Sequence, residues 1–177
     1  PSLGGQEASR ALLDVLTGAV NPSGRLAESF PAAYADCPSA SRFPGRPMTT
    51  EYREGIYVGY RYYLTAKVPV RYPFGFGMSY TSFSYSDLEV NGEGASFVLT
   101  NTGGRAGAET AQLYIGKKDA AVFRPALELK GFCKVRLGAG ESRRVHIGFG
   151  EKAFRYFNAA TGLPGYETCR VRELPKL

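Results

Sequence analysis

Between Phe83 and Phe149 apolar residues recur at every second position and are interrupted at short intervals by turn-forming residues. Leu88 and Val90 alternate before Asn91-Gly92, Phe97 and Leu99 before Asn101-Thr102-Gly103-Gly104, and Ala111, Leu113 and Ile115 before Gly116-Lys117-Lys118-Asp119. Leu127 and Leu129 precede Gly131, Val135 and Leu137 precede Gly138-Ala139-Gly140, and Val145, Ile147 and Phe149 precede Gly150. A period of two places alternate side chains on one face, so each run predicts a half-buried strand. Six strands are expected, with Arg155–Phe157 or the segment from Tyr166 to Val171 offering a seventh. That number of short strands at this spacing predicts a mainly β protein built on an immunoglobulin-like or fibronectin-type antiparallel sandwich.

The N-terminal part has a different period. Ala8, Leu12 and Leu16 fall on one stripe with Ala11 and Val15 beside it, which predicts a one-sided helix over Glu7–Leu16. Gly18 stands where a left-handed cap ends a helix, and Asn21-Pro22-Ser23-Gly24 follows as a turn. A helix this short is marginal alone, so its apolar stripe must dock on another element. From Phe30 to Thr50 the chain carries Pro31, Pro38, Pro44 and Pro47 among small and polar residues and should run as irregular surface structure.

Tyr52 to Tyr80 has neither clean period. It holds Tyr52, Tyr57, Tyr60, Tyr62, Tyr63, Tyr72, Phe74, Phe76 and Tyr80, with Gly55, Gly59, Gly75 and Gly77 between them. So much aromatic surface needs a particular surface to pack on, and the glycines suit sharp turns or close backbone approach. The segment reads as a strap joining two structural units.

Composition narrows the classes. Of 177 residues, 44% are hydrophobic and 21% charged, an ordinary globular balance, and no apolar run nears the roughly 20 residues a membrane helix needs. Membrane insertion is not expected. The net charge of +6 raises nucleic-acid binding as a class, but the basic residues are spread out, with short groups at Lys117-Lys118 and Arg143-Arg144 and a loose run from Arg170 to Lys176. Without a nucleic-acid module, no nucleic-acid partner is expected. Cys37, Cys133 and Cys169 form no CxxC pair, so neither a metal site nor a disulfide framework is expected, and no cofactor. The odd, sparse count leans toward a reducing, cytoplasmic compartment, with export left open. Cys133 sits among apolar residues and reads as a small buried hydrophobe.

The blocks GGQEASRALLDVLTGAVNPSGRLAESFP, YREGIYVGYRYY, YPFGFGMSYTSFSYSDL, LTNTGGRAGAETAQLYI and RPALELKGFCKVRLGAGES, in that order, resemble the C-terminal part of glycoside hydrolase family 3, the β-glucosidase and β-xylosidase family. The resemblance covers nearly the whole chain. It implies that residues 1–36 end an α/β sandwich domain, that 37–82 form the connecting strap, and that 83–177 form a fibronectin type III-like domain. It also implies a retaining enzyme with an aspartate nucleophile on a (β/α)8 barrel and, in most β-glucosidases, a glutamate acid/base on the α/β sandwich. Neither carboxylate matches a residue here, so the catalytic residues are expected outside this chain and the chain alone is expected to be inactive. The implied partners are the barrel and α/β domains, with carbohydrate substrate reached through them. One departure concerns the end. The family's last strand reads roughly Tyr-x-Val-x-Val-Gly, whereas here Tyr166 to Arg172 passes directly into Glu173-Leu174-Pro175-Lys176-Leu177.

Within the strap, Glu54, Arg61, Tyr60, Phe74, Gly75 and Gly77 are the structural candidates. Glu54 and Arg61 lie seven apart among aromatics, where charges usually persist only when paired, so a buried pair tying the strap to its neighbour is expected ahead of substrate contact. His146, the only histidine, is out of phase with Val145 and Ile147 and should face solvent. Phe74-Gly75-Phe76-Gly77 lacks the strand-to-helix setting and the following Lys-Ser or Lys-Thr of a phosphate loop. A free-standing carbohydrate- or protein-binding sandwich is the second functional reading. Against it stand the helix at Glu7–Leu16, which a lone sandwich does not need, and the lack of Trp and of an evenly exposed aromatic platform. Apolar surface left by the strap and helix would favour self-association.

Overall fold

The computed structural model describes residues 5–45, 48–117 and 119–166 and the backbone of 170–173. Pro47, Lys118, Cys169 and the tail beyond Glu173 lie outside the described residues. Two three-stranded antiparallel sheets form the body of the fold. One pairs β3 (Phe83–Val90), β4 (Gly94–Asn101) and β7 (Ser142–Gly148) in the order β3-β4-β7. The other pairs β10 (Arg170–Glu173), β5 (Gly107–Gly116) and β6 (Glu128–Leu137) in the order β10-β5-β6. A hairpin of β8 (Arg155–Asn158) and β9 (Leu163–Tyr166) stands beside them.

The core lies between the sheets, as the alternation predicts. Phe83, Ala95, Phe97, Leu99, Val145 and Ile147 from one sheet meet Ala111, Leu113, Val135 and Leu137 from the other, with Tyr85, Cys133 and Phe149 packed at the margin. His146 is exposed on β7, where its Nδ1 is 2.9 Å from Ser96 Oγ of β4. The β3–β4 turn is held by Asn91, whose Oδ1 accepts from the N–H groups of Glu93 at 2.9 Å and Gly94 at 3.0 Å. Both segments offered for a seventh strand contribute. Arg155–Asn158 becomes β8, and Arg170–Glu173 becomes β10, which pairs with β5 from Arg170 opposite Gly116 to Glu173 opposite Leu113.

Two expectations are corrected. Gly131 does not end a strand: β6 runs unbroken through it, pairing Gly131 with Leu113. A Cβ at Gly131 would come within 2.5 Å of Ile147 Cγ2, so the glycine marks close approach of the opposing sheet rather than a turn. Lys130 is left as the extra residue of a bulge between the Leu113 and Tyr114 pairs. Leu88 and Val90 are strand residues but not core, at 45% and 47% exposed. A bulge between Ser86 and Glu89, with Asp87 at φ 53°, breaks the alternation, so that Phe83 and Tyr85 supply the inward face of β3. The strap, which shows neither clean period in the sequence, contains a helix, α2 (Tyr60–Ala66), which starts after Gly59 at φ 58° and ends at Lys67 in the left-handed region.

The N-terminal helix α1 (Ala8–Leu16) forms and stops as expected, with Gly18 at φ 77°. None of its residues is buried, and Leu12, Leu13 and Leu16 are 47, 58 and 69% exposed. β1 (Phe30–Pro31) pairs antiparallel with β2 (Val70–Tyr72), bringing the end of the first segment beside the end of the strap.

Candidate functional site

Four chain segments converge on one end of the sandwich, and this junction is where the strap candidates Tyr60, Phe74, Gly75 and Gly77 come together. The turn after α1 supplies Asn21. Its Nδ2 donates to the Ala106 carbonyl at 2.9 Å, and its Oδ1 accepts from Ser79 Oγ at 3.1 Å and from the Tyr80 N–H at 2.9 Å. Tyr80 in turn donates its hydroxyl to the Val15 carbonyl of α1 at 2.8 Å. The Arg105 guanidinium lies 5.6 Å from the Tyr80 ring centroid and donates to the Gly18 carbonyl. A single short amide side chain therefore links the helix exit, the end of the strap and the β4–β5 loop.

Arg25 extends this link into the sandwich. Its Nη2 pairs with Glu109 Oε2 on β5, and Tyr85 of β3 donates its hydroxyl to Glu109 Oε1 at 3.2 Å. The two charged side chains keep only 11% and 5% of their surface exposed. A charge so placed is costly unless paired and hydrogen-bonded, and Glu109 meets both conditions. Sequence reasoning missed this pair, because Arg25 and Glu109 lie 84 residues apart. A signal was present: Glu109 falls in phase with the inward positions Ala111 and Leu113, and a carboxylate on a core face needs a cation.

The strap candidates close the junction from above. The Leu26 N–H donates to the Phe76 carbonyl at 2.8 Å and the Gly75 N–H donates to the Leu26 carbonyl at 2.8 Å, a reciprocal clasp between the exit segment and the Phe74–Gly77 turn. Gly75 sits at φ 81°, and a side chain there would run into Gln112. A Cβ on Gly77 would run into the Gly24 carbonyl and the Arg25 side chain. Gly75 thus answers to its left-handed backbone and the Gln112 side chain, and Gly77 to the Gly24 backbone and Arg25, not to phosphate. Tyr60 packs against Phe74 at 4.9 Å and edge-on to Tyr114 at 5.8 Å, while its hydroxyl accepts the Leu129 N–H at 2.8 Å. Tyr114 is fully buried and donates to Gln112 Oε1 at 2.6 Å; burial pushes its phenol well above the ordinary tyrosine range.

Glu54 and Arg61 do not meet. The carboxylate facing Arg61 is Glu128 of β6, at 3.9 Å, and Arg61 also lies 6.0 Å from the Tyr60 ring centroid. Helix geometry explains the difference. α2 begins at Tyr60, so Arg61 turns with the helix toward β6, whereas Glu54 precedes it in the turn whose carbonyl accepts the Tyr57 N–H. Thr65, one turn on, accepts the Ala126 N–H at 3.0 Å and fastens α2 to the β5–β6 connection. Tyr63, the buried residue of α2, has its phenol raised first by burial and then by the neighbouring Cys37 thiol.

An apolar recess of about 590 Å³ lies between α2 and the segment that follows it in the strap, lined by Tyr60, Tyr63, Leu64, Phe74, Phe76 and Tyr114 among others. A wider groove of about 990 Å³ runs past Phe43, Tyr52, Tyr57 and Phe123 with Arg42, Arg53, Glu51 and Glu54. Three of its charges engage one another, since Glu51 lies 2.7 Å from Arg53 and 3.3 Å from Arg42. Among the described residues no cluster of His, Cys, Asp and Glu is placed to hold a metal ion. The junction is thus built to hold segments together, by buried charge, aromatic packing and a backbone clasp.

The Glycosyl hydrolase family 3 C-terminal domain matches residues 2–80 and the Fibronectin type III-like domain matches residues 109–168. The chain is 46% identical over 164 residues to thermostable beta-glucosidase B of Acetivibrio thermocellus, a match covering 88% of this chain and 22% of that protein. It is 44% identical over 159 residues to an exo-alpha-(1->6)-L-arabinopyranosidase of Bifidobacterium longum, covering 87% of this chain and 21% of that one. The crystal structure of the Bifidobacterium adolescentis GH3 beta-glucosidase superimposes with a TM-score of 0.85 at 40% identity, over 94% of this chain and 26% of that structure. Beta-glucosidase 3B of Thermotoga neapolitana, in complex with glucose, superimposes at 0.80 with 46% identity over 88% of this chain and 23% of that one. The chain spans about a fifth to a quarter of the length of these proteins. The exit segment and the strap as far as Tyr80 lie within one match and the sandwich from Glu109 onward within the other, and the chain belongs to glycosyl hydrolase family 3, carrying its C-terminal and fibronectin type III-like domains in that order.

Proposed function

We propose that this chain is the clamp region of a retaining β-glycosidase, β-glucosidase-like in action on terminal β-linked sugars, whose nucleophile and acid/base lie outside it. In this reading residues 1–36 close an α/β sandwich domain, 37–82 strap that domain down, and 83–177 brace it. The observation that carries the reading is the junction itself: Arg25, Leu26 and Asn21 of the helix exit are each bonded to the strap or sandwich. The exposed stripe Leu12, Leu13 and Leu16 on α1 then docks on the remainder of the α/β domain. In the chain by itself that stripe favours self-association. Two carboxylates about 5 to 5.5 Å apart do the chemistry in a retaining enzyme. Among the residues here, the buried carboxylate Glu109 is committed to Arg25 and Tyr85. Similarity to an arabinopyranosidase, nearly as high as that to the β-glucosidases, supports a terminal sugar chosen outside this region.

The test is to assay the purified 177-residue chain and the complete gene product against aryl β-glucosides, β-xylosides and α-L-arabinopyranosides. Turnover by the complete product and none by the chain is the expected result. Turnover by the chain alone, abolished by substituting one of its own carboxylates, refutes it.

A further inference from the structure

The Arg25–Glu109 contact is more selective than a fastening needs to be. The exit segment is held to the sandwich by only a few side chains, and the two bonds beside Arg25, Leu26 with Phe76 and with Gly75, are backbone bonds that a shifted register could remake. Arg25 allows no such slippage. Its partner Glu109 sits at an inward position of β5 between Gly107 and Ala111, is 3% exposed as a residue, and already accepts from Tyr85 of the facing sheet. Over Arg25 lies Gly77, where a single methyl group would strike the Arg25 side chain and the Gly24 carbonyl. Exit segment, strap, β3 and β5 thus contribute one residue each to a closed, water-poor socket for one guanidinium.

A buried ion pair is weak evidence for stability, since an apolar pair of equal volume often serves as well or better, but it penalises every arrangement that separates the charges. We infer that Arg25, Glu109, Tyr85 and Gly77 form a positioning latch that sets the angle and register at which the exit segment meets the sandwich. Displacing the exit segment by one residue would pull the Arg25 guanidinium away from the buried Glu109 carboxylate. Arg25 and Glu109 are positioning residues; that they orient a catalytic unit rests on the proposed function, whereas the latch is a property of this chain.

Amide hydrogen exchange on the 177-residue chain tests it. The reporters are the Leu26 and Gly75 amides, which make the clasp beside the latch, and the references are the amides of Phe97, Leu99, Val145 and Ile147 in β4 and β7. Arg25→Met should speed the reporters by about tenfold or more while the references stay within about twofold, because local opening is released without global unfolding. Arg25→Lys keeps the cation and should restore most of the protection. Glu109→Gln, which keeps the volume and an acceptor for Tyr85, serves if Arg25→Met fails to fold and should loosen the same two amides. Gly77→Ala should do so as well, by steric displacement of Arg25. Reporters and references accelerating together would show a contribution to overall stability only and overturn the latch. Unchanged reporters in Arg25→Met and Glu109→Gln would also overturn it. None of these readouts depends on glycosidase activity, so a failed latch and a failed functional reading are told apart.

Discussion

Replacing Asn101 by alanine should be among the most damaging single changes in the sandwich, although the residue carries no charge and little apolar surface. Asn101 closes β4 and is fully buried. Its Nδ2 donates to the carbonyls of Arg105 at 2.7 Å, Gly138 at 2.9 Å and Leu137 at 3.4 Å. Its Oδ1 accepts from Thr81 Oγ1 at 2.6 Å and from the Gly103 N–H at 3.1 Å. Its own backbone is bonded on both sides, to the Glu141 carbonyl and from the Gly140 N–H. One side chain thus joins the end of the strap, the β4–β5 turn and the β6–β7 turn. Four bonds of good length at a net of about 1 kcal/mol each give about 4 kcal/mol. Arg105 and Gly138 border solvent and can turn to water, which trims the loss to about 3 kcal/mol. Domain stabilities run from about 5 to 15 kcal/mol, so this is a large share. For a chain of this size each kcal/mol lowers Tm by about 2 to 4 °C, which predicts a fall of about 6 to 12 °C by calorimetry. Asn101→Asp should fare no better. It keeps the acceptor for Thr81 and Gly103 but points a carboxylate at the Arg105 and Gly138 carbonyls. A fall of less than about 2 °C in Asn101→Ala would refute the view that the turns are held from this one position.

Gly75→Ala should cost about 2 kcal/mol or more by urea unfolding, since it combines a left-handed backbone at φ 81° with a collision against Gln112, and Gln112→Ala in the same chain should recover part of the loss. Acid titration should single out Glu141, whose carboxyl is held below the usual range first by the Gly138 N–H and then by Arg143. A lowered native value means a contribution fully present above the ordinary carboxylate value of 4.5 and lost as pH falls through the lower native one. Glu141→Gln should therefore flatten the decline of Tm between about pH 5 and pH 3, and an unchanged slope would count against the turn contact.

The sandwich was legible because its signal is local. Alternation at Phe97 and Leu99, at Ala111, Leu113 and Ile115, and at Val145 and Ile147 reports burial directly, and all of those residues are buried. Where a strand bulges, the alternation misleads. At Asp87 one extra residue opposite Phe97 moved Leu88 out of the core. At Gly131 a glycine that reads as punctuation is an inter-sheet contact. The family resemblance carried the domain order, which no periodicity reveals. The strap's need for a packing surface was readable from its aromatic and glycine content, but its partners were not. Arg61 finds Glu128 and Arg25 finds Glu109 across 67 and 84 residues of chain, respectively, and only the fold brings such pairs together.

The two halves of the chain are held by different forces, and the difference bears on what the junction is for. Among the described residues, every buried apolar side chain lies between Phe83 and Ala153 except Tyr63. The sandwich therefore has its own core. The helix exit has none, and is joined through Asn21, Arg25 and Leu26 by hydrogen bonds and one ion pair. Polar contacts are directional and lose much of their strength when misaligned, whereas apolar contact tolerates sliding. A polar joint of this kind fixes orientation without consuming the apolar surface of α1, whose Leu12, Leu13 and Leu16 remain free to pack elsewhere. An apolar joint would have had to spend that surface on the sandwich. The arrangement suits a brace that holds the exit of a neighbouring domain at a set angle while leaving the domain's own core face intact.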